Sequence, residues 1–215
     1  MTYQENFKKW LYYADLPYHL RQDLNSMDEK TKEDAFYTIL EFGTAGMRGL
    51  IGAGTNRINI YVVRQATEGL ARLIEEKGDE FKKRGVAIAY DSRHFSPEFA
   101  MESAKVMASH GIKAYVFESL RPTPELSFAV RYLNAVGGIV VTASHNPPEY
   151  NGYKIYDETG CQLVPADADQ VIALVDAIDD VFAIDVKSEE ELKAAGLLQI
   201  IGKEIDDVYT ERVKA

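Results

Sequence analysis

The sequence predicts an α/β fold: a three-layer α/β/α sandwich around a mixed, mostly parallel sheet of about four core strands, one of them antiparallel. Three observations predict it. The runs "GVAIAY" (85–90), "IKAYVF" (112–117) and "GGIVVTA" (137–143) are short, apolar and rich in strand-forming residues. Segments of helical period separate them, which implies parallel strands joined by right-handed crossovers. A fourth run, "GYKIYD" (152–157), follows the third after a short loop. A parallel crossover needs about a dozen residues, so that strand is expected to run antiparallel.

Taken in order, residues 1–40 read as short helices, with Tyr3, Phe7, Trp10 and Leu11 at helical spacing and Pro17 closing the first. Residues 42–59, "FGTAGMRGLIGAGTNRIN", hold five glycines and no usable periodicity, so they read as a structured loop. Ile60, Val63, Thr67, Leu70 and Ile74 then make a helical stripe that ends at Gly78. Ser96-Pro97-Glu98 reads as the cap of a helix whose inner face is Ala100, Ala104, Met107 and Ala108. Thr123-Pro124-Glu125 opens another, with Leu126, Val130 and Leu133 inward. "PADADQVIALVDAI" (165–178) is a further helix, and "SEEELKAAG" begins one with a Ser–Glu capping box. The last residues, "KEIDDVYTERVKA", are helical in pattern and stop without a C-cap, as if a longer protein continued. The expected organisation is an N-terminal helical segment (1–40) packed on one α/β domain (41–200), with 201–215 starting a linker.

Composition narrows the function. Hydrophobic residues are 46% and charged residues 27%, as in ordinary globular chains, and the formal charge is −10. An acidic protein is a poor non-specific partner for nucleic acid or anionic membrane, and neither is expected. Cys161 is the single cysteine, so no intrachain disulfide or cysteine metal cluster can form. The N-terminus lacks the apolar core of a signal peptide, and no run approaches the ~20 apolar residues of a membrane span. The expected compartment is the cytoplasm.

Ligands of open α/β sheets bind beyond the carboxyl ends of the parallel strands. The loops there, "DSRHFSP", "ESLRPTPE" and "SHNPPEYNG", together with the glycine loop if folding brings it close, carry Arg48, Arg93, Arg121, His94, His145, Ser144, Thr123 and then Lys154. A cationic, hydroxyl-bearing rim suits a phosphate. Each piece also has a bland reading. The glycines could simply serve a tight turn, Asp91-Ser92-Arg93 could be a turn with a surface ion pair, and Asn151-Gly152 alone is a hairpin signal. His94 and His110 read as surface or cap histidines. Ser144-His145 stands apart because it ends an apolar strand, where scaffold fixes a side chain that still faces the cleft. No acidic partner flanks His145 and no Gly-x-Ser-x-Gly is present, so a hydrolase serine fits less well than a serine that accepts and returns a phosphoryl group.

These residues carry a resemblance. "TASHNPPEYNGYK" resembles the phosphoserine loop of the α-D-phosphohexomutase superfamily, the phosphoglucomutases and phosphomannomutases. "FGTAGMRG", "YDSRHFSP" and "RPTPELSFAVR" are similar to its other segments, in the right order between about residue 40 and 157. The wording looks closest to the bacterial phosphoglucomutase branch. The resemblance implies that Ser144 is the phosphorylated serine, that His145 and Asn146 position its loop, that Lys154 is a general acid/base and that Arg48 contacts phosphate near Ser144. It also implies phosphate or substrate contacts from Thr142, Asn146, Arg93, Gly43 and Thr44. The implied reaction interconverts glucose 1-phosphate and glucose 6-phosphate through a hexose 1,6-bisphosphate. Mg²⁺ would be the cofactor, held here by Ser144 through its phosphate alone, and glucose 1,6-bisphosphate the activator. The family's metal loop (Asp-x-Asp-x-Asp-Arg), sugar-recognition loop and phosphate clamp lie in further domains, and no Asp-x-Asp-x-Asp occurs here. The partners implied are a phosphosugar and the remaining domains of a parent chain, and the chain alone is expected to be inactive. Phosphomannomutase, phosphopentomutase and a non-catalytic phosphosugar-binding module remain open.

Overall fold

A computed structural model describes residues 2–43 and 46–214. The described strands are β1 (Met47–Leu50), β2 (Val86–Tyr90), β3 (Ala114–Phe117), β4 (Gly137–Val141), β5 (Tyr150–Asp157) and β6 (Leu198–Ile201). They form one six-stranded sheet in the order β1-β5-β4-β2-β3-β6. The pairs β2–β3, β2–β4 and β3–β6 are parallel, while β5 runs antiparallel to both β4 and β1. The expected parallel core and its single antiparallel strand are therefore present. Two strands extend it at the edges. β1 lies inside the segment read as a loop, because four residues between glycines are too few to show a period. β6 was hidden behind the helix reading of "SEEELKAAG".

The sheet has two covered faces. On one, Val86, Ile88, Ile139, Val141, Tyr153 and Ile155 meet the helices α4 (Ile60–Lys77), α6 (Ser96–Ser109) and α8 (Pro165–Asp176). The stripe Val63, Thr67, Leu70 and Ile74 faces inward as its spacing requires, and the Thr67 hydroxyl lies 3.0 Å from the buried Tyr153 hydroxyl. On the other face, Ala87, Ala89, Val140 and Tyr156 meet α7 (Thr123–Tyr132) and α10 (Lys203–Lys214) through Leu126, Ala129, Val130 and Ile205. The short helices α1 (Tyr3–Tyr12), α2 (Tyr18–Ser26) and α3 (Glu29–Phe36) make a separate cluster in which Trp10 packs edge-on against Phe36 and Tyr61. The remaining helices are α5 (Asp79–Arg84) and α9 (Glu189–Ala194).

Caps explain several boundaries. Asn59 accepts the N–H groups of Tyr61 and Val62 to start α4, and Ser188 accepts that of Glu191 to start α9. Ser96 differs from expectation. The cap position of α6 is Phe95, in the left-handed region at φ 62°, and the Ser96 hydroxyl donates instead to Asp91 at 2.9 Å. Among the described residues no helix is long and apolar enough to cross a membrane.

Candidate functional site

The site begins where β4 ends. Val141 is the last strand residue, and the ladder continues one step as the Thr142 N–H donates to the Gly152 carbonyl at 3.0 Å. Arg48 sits opposite Gly152 on the far side, so Thr142, Gly152 and Arg48 form one row across three strands. Only glycine fits in the middle. A Cβ on Gly152 would meet the Thr142 carbonyl oxygen at 2.5 Å and that of Met47 at 2.8 Å. "NG" is thus not a hairpin turn here; it lies inside β5, and its glycine admits a crowded three-strand crossing.

Arg48 and Lys154 leave the same face of the sheet, because Lys154 lies two residues beyond Gly152 on β5. That face is the one α7 covers over β2 and β4, whereas Arg48 is exposed and Lys154 half-buried. Partial burial, and secondly the Arg48 charge, lower the Lys154 pKa from its ordinary value. The glycine loop reaches the same place. Gly43 and Gly46 exchange backbone hydrogen bonds at 3.0 and 2.8 Å, and Gly46, at φ 86°, lies so close to β5 that a Cβ would meet the Tyr153 carbonyl oxygen at 2.1 Å. Folding therefore brings "FG…GMRG" to Lys154. Gly43, expected to contact phosphate or substrate, has its N–H engaged in this turn. Thr44 lies outside the described residues.

Ser144 is exposed, with φ 58°, in a region that L-residues enter at a cost of roughly 1 kcal/mol. Its N–H donates to the buried Thr142 hydroxyl at 3.0 Å, so Thr142 supports the serine's backbone. His145 is exposed beside it. Asn146 closes a turn from its N–H to the Ala143 carbonyl, and its buried Oδ1 has no hydrogen-bond partner among the described residues. An open depression of about 360 Å³ is lined by Asp91, Ser92, Arg93, His94, Ser144, Asn146 and Pro148.

Two arginines of the expected rim are committed elsewhere. Arg121 pairs with Asp206 through Nε at 2.7 Å and Nη2 at 2.8 Å, tying the β3–α7 loop to α10. Arg93 directs all its terminal N–H groups at carbonyls of loop 144–150 and its Nε at Asp91, which leaves no N–H for a phosphate. Both guanidinium groups are thus paired with carbonyls and carboxylates of this chain.

Asn151, read with Gly152 only as a hairpin signal, turns out to be part of the site's frame. It is fully buried, donates to the His94 carbonyl and the Ser96 hydroxyl at 3.0 Å each, and accepts the Gly152 N–H at 2.7 Å. The available signal was an amide beside a strand-forming run, where burial makes an unpaired polar group costly.

No group of three or more His, Cys, Asp or Glu side chains among the described residues could hold a metal ion. Mg²⁺ takes about six oxygen ligands, so these residues do not make up a Mg²⁺ site.

Residues 40–182 match the family described as phosphoglucomutase/phosphomannomutase, alpha/beta/alpha domain I. A phosphoglucomutase of Staphylococcus epidermidis is 38% identical over 190 residues, covering 88% of this chain and 34% of that protein. One from Staphylococcus aureus is 36% identical over 183 residues, 85% of this chain and 32% of that protein. A crystal structure from Thermus thermophilus, named provisionally as a phosphomannomutase, has a TM-score of 0.58 at 36% identity, over 64% of this chain and 30% of its own. The chain thus spans about a third of the length of the curated relatives it matches. Ser144 and Arg48 line separate depressions, and on the strength of these comparisons the chain is a member of the phosphoglucomutase/phosphomannomutase family, matching its alpha/beta/alpha domain I.

Proposed function

We propose that this chain is the phosphoserine-bearing domain of a phosphohexomutase, with Ser144 as phosphoryl carrier, acting on glucose 1-phosphate and glucose 6-phosphate. The observation that carries the reading is Ser144 itself: an exposed hydroxyl on a left-handed backbone at a strand's carboxyl end, in the loop where the family resemblance puts the carrier. The names of the Staphylococcus relatives support glucose as the sugar. In the half-reaction that loads the serine, the Ser144 hydroxyl attacks a phosphorus of the hexose bisphosphate. The P–Oγ bond forms, the bond from phosphorus to the sugar oxygen breaks, the Oγ proton leaves to a base, and the sugar oxygen takes a proton.

The chain's own residues divide this work. Lys154, whose pKa is lowered, exchanges protons more readily near neutrality than an ordinary lysine. Arg48 offsets phosphate charge from the adjacent row. Phosphorylation adds about −1.5 to −2 charges at Ser144, which both cations favour. Mg²⁺, bound by the phosphoserine together with groups from further domains, would add Lewis-acid stabilisation in a complete enzyme. The chain alone should bind sugar phosphate weakly and show no sustained turnover, since enclosing both ends of the substrate needs further domains. Its cellular setting is that of a sugar-phosphate enzyme, the cytoplasm.

The test is direct. Purified chain incubated with excess glucose 1,6-bisphosphate should gain one phosphoryl group, found by mass spectrometry on the peptide containing Ser144, and Ser144→Ala should gain none. A chain that takes up no phosphoryl group, or takes it up elsewhere, would overturn the reading.

A further inference from the structure

Loop 144–150 presents its own backbone with a difficulty. Pro147 and Pro148 carry no N–H, yet the carbonyls of Ser144, Asn146, Pro147 and Tyr150 all turn toward one point. Carbonyls turned inward need donors. Arg93 supplies them from the neighbouring crossover. Its Nη1 donates to Pro147 at 2.9 Å and Tyr150 at 3.0 Å, and its Nη2 to Ser144 at 2.8 Å and Asn146 at 2.7 Å.

The fork is anchored from behind. Asp91 accepts the Arg93 N–H and the Ser96 hydroxyl on Oδ1, and its Oδ2 lies 3.4 Å from Arg93 Nε. The Ser96 hydroxyl in turn accepts from Asn151 on β5. A continuous set of bonds thus runs from the end of β2 into the loop and back to β5. The Arg93 side chain is 13% exposed, so water competes little for these bonds.

We infer that Arg93 is a positioning residue for the Ser144 loop, acting by the geometry of its planar fork and not by touching phosphate. The inference rests on the reading of Ser144 as phosphoryl carrier. Its physical content is specific. The Ser144–His145 peptide is trans, so a carbonyl held on Arg93 turns the His145 N–H the opposite way. One guanidinium therefore fixes the peptide that follows the nucleophile and, through three further carbonyls, the rest of the loop. A lysine would keep the charge but has three N–H donors on a point-like head and cannot span four carbonyls.

Arg93→Lys in the whole chain separates the possibilities, using two measurements. Amide hydrogen exchange should accelerate about tenfold or more in 144–150, with 86–90 and 137–141 unchanged. The rate of Ser144 phosphorylation at saturating glucose 1,6-bisphosphate should fall between about ten- and a hundredfold, with the half-saturating concentration nearly unchanged. Unaltered exchange in the loop overturns the clamp. A raised half-saturating concentration with an unaltered maximal rate makes Arg93 a phosphate contact and overturns the inference as well. Wild-type chain that takes up no phosphoryl group counts against the carrier reading, while the exchange result still decides whether Arg93 holds the loop. Should Arg93→Lys not fold, Asp91→Asn, which keeps the fork but weakens its anchor, is read by the same two measurements.

Discussion

The Ser144 N–H donates to the Thr142 hydroxyl at 3.0 Å, and this bond spans the point where the backbone leaves strand geometry for φ 58°. A short polar bond two residues back along the chain thus helps hold a serine in a conformation it would not choose. Left-handed backbone costs an L-residue roughly 1–2 kcal/mol, whereas glycine's extra unfolded-state freedom costs about 0.5–1 kcal/mol. Relief of strain outweighs that loss of freedom. Ser144→Gly should therefore stabilise the chain by about 0.5 kcal/mol in urea unfolding, and Ser144→Ala should not. Both should abolish phosphoryl uptake. Equal stability of the two variants would mean that the loop, and not the residue, sets the conformation without strain.

Lys154 separates charge from proton transfer. Arginine preserves the charge but does not release a proton near neutrality, so Lys154→Arg should remove most of the Ser144 loading rate. A variant that keeps most of that rate across the pH range would make Lys154 a phosphate contact. Stability should move the other way. The folded chain disfavours the charged amine, since burial and Arg48 both lower its pKa. The unfolded chain therefore holds that proton more tightly, and stability rises as pH climbs from the lowered value toward the ordinary lysine value. Lys154→Met, which has no charge to desolvate, should be more stable than wild type at neutral pH by under about 1 kcal/mol, with the gain fading above that window.

Much of the scaffold was legible because its signals are local. Val63, Thr67, Leu70 and Ile74 show a helix by period alone, and the β-branched runs at 86–90 and 137–141 show strands by composition. The short link from β4 to β5 was enough to give the antiparallel pair. What stayed hidden depends on contacts between distant residues. Met47–Leu50 becomes a strand only because β5 is there to pair with it, and Leu198–Ile201 only because β3 offers an edge. Arg93, Arg121 and Lys154 look alike in a sequence. Their different fates follow from which carbonyls and carboxylates folding brings to each.

His110, at the end of α6, ties that helix to α4. Its Nε2 lies 2.8 Å from Glu68 and its Nδ1 3.1 Å from Glu75, so both ring nitrogens face carboxylates and the imidazolium is favoured. The Glu68 hydrogen bond foremost raises the His110 pKa, against burial, which lowers it. A raised histidine pKa contributes stability that is complete below the ordinary value and is lost as pH rises through the raised one. His110→Gln should therefore cost more at pH 6 than at pH 9, by on the order of 1 kcal/mol. Thermal unfolding of both proteins at the two pH values checks this, and an equal cost at both would show that the ring acts by packing alone.

Glu125 and Asp206 make the contact between α7 and α10 sensitive to pH in the same sense. Asp206 is held as an anion by the Arg121 fork, while Glu125 is buried, its Oε1 4.0 Å from Arg121 Nε and without a hydrogen bond among the described residues. Burial first, and the neighbouring Asp206 second, push the Glu125 pKa up to about 7. Here the folded state binds the proton more tightly than the unfolded chain. Stability therefore falls as pH rises from the usual carboxylate range to about 7, and above that a charged Glu125 faces Asp206 across the interface. Glutamine keeps the shape of the protonated acid and cannot ionise. Glu125→Gln should match wild type near pH 5 and exceed it at pH 8 by on the order of 1 kcal/mol. Hydrogen exchange in residues 203–214 should slow in the variant at the higher pH, because α10 is the element the charge would loosen. Stability curves that run parallel from pH 5 to pH 8 would show that Glu125 stays ionised throughout and that Arg121 neutralises both carboxylates.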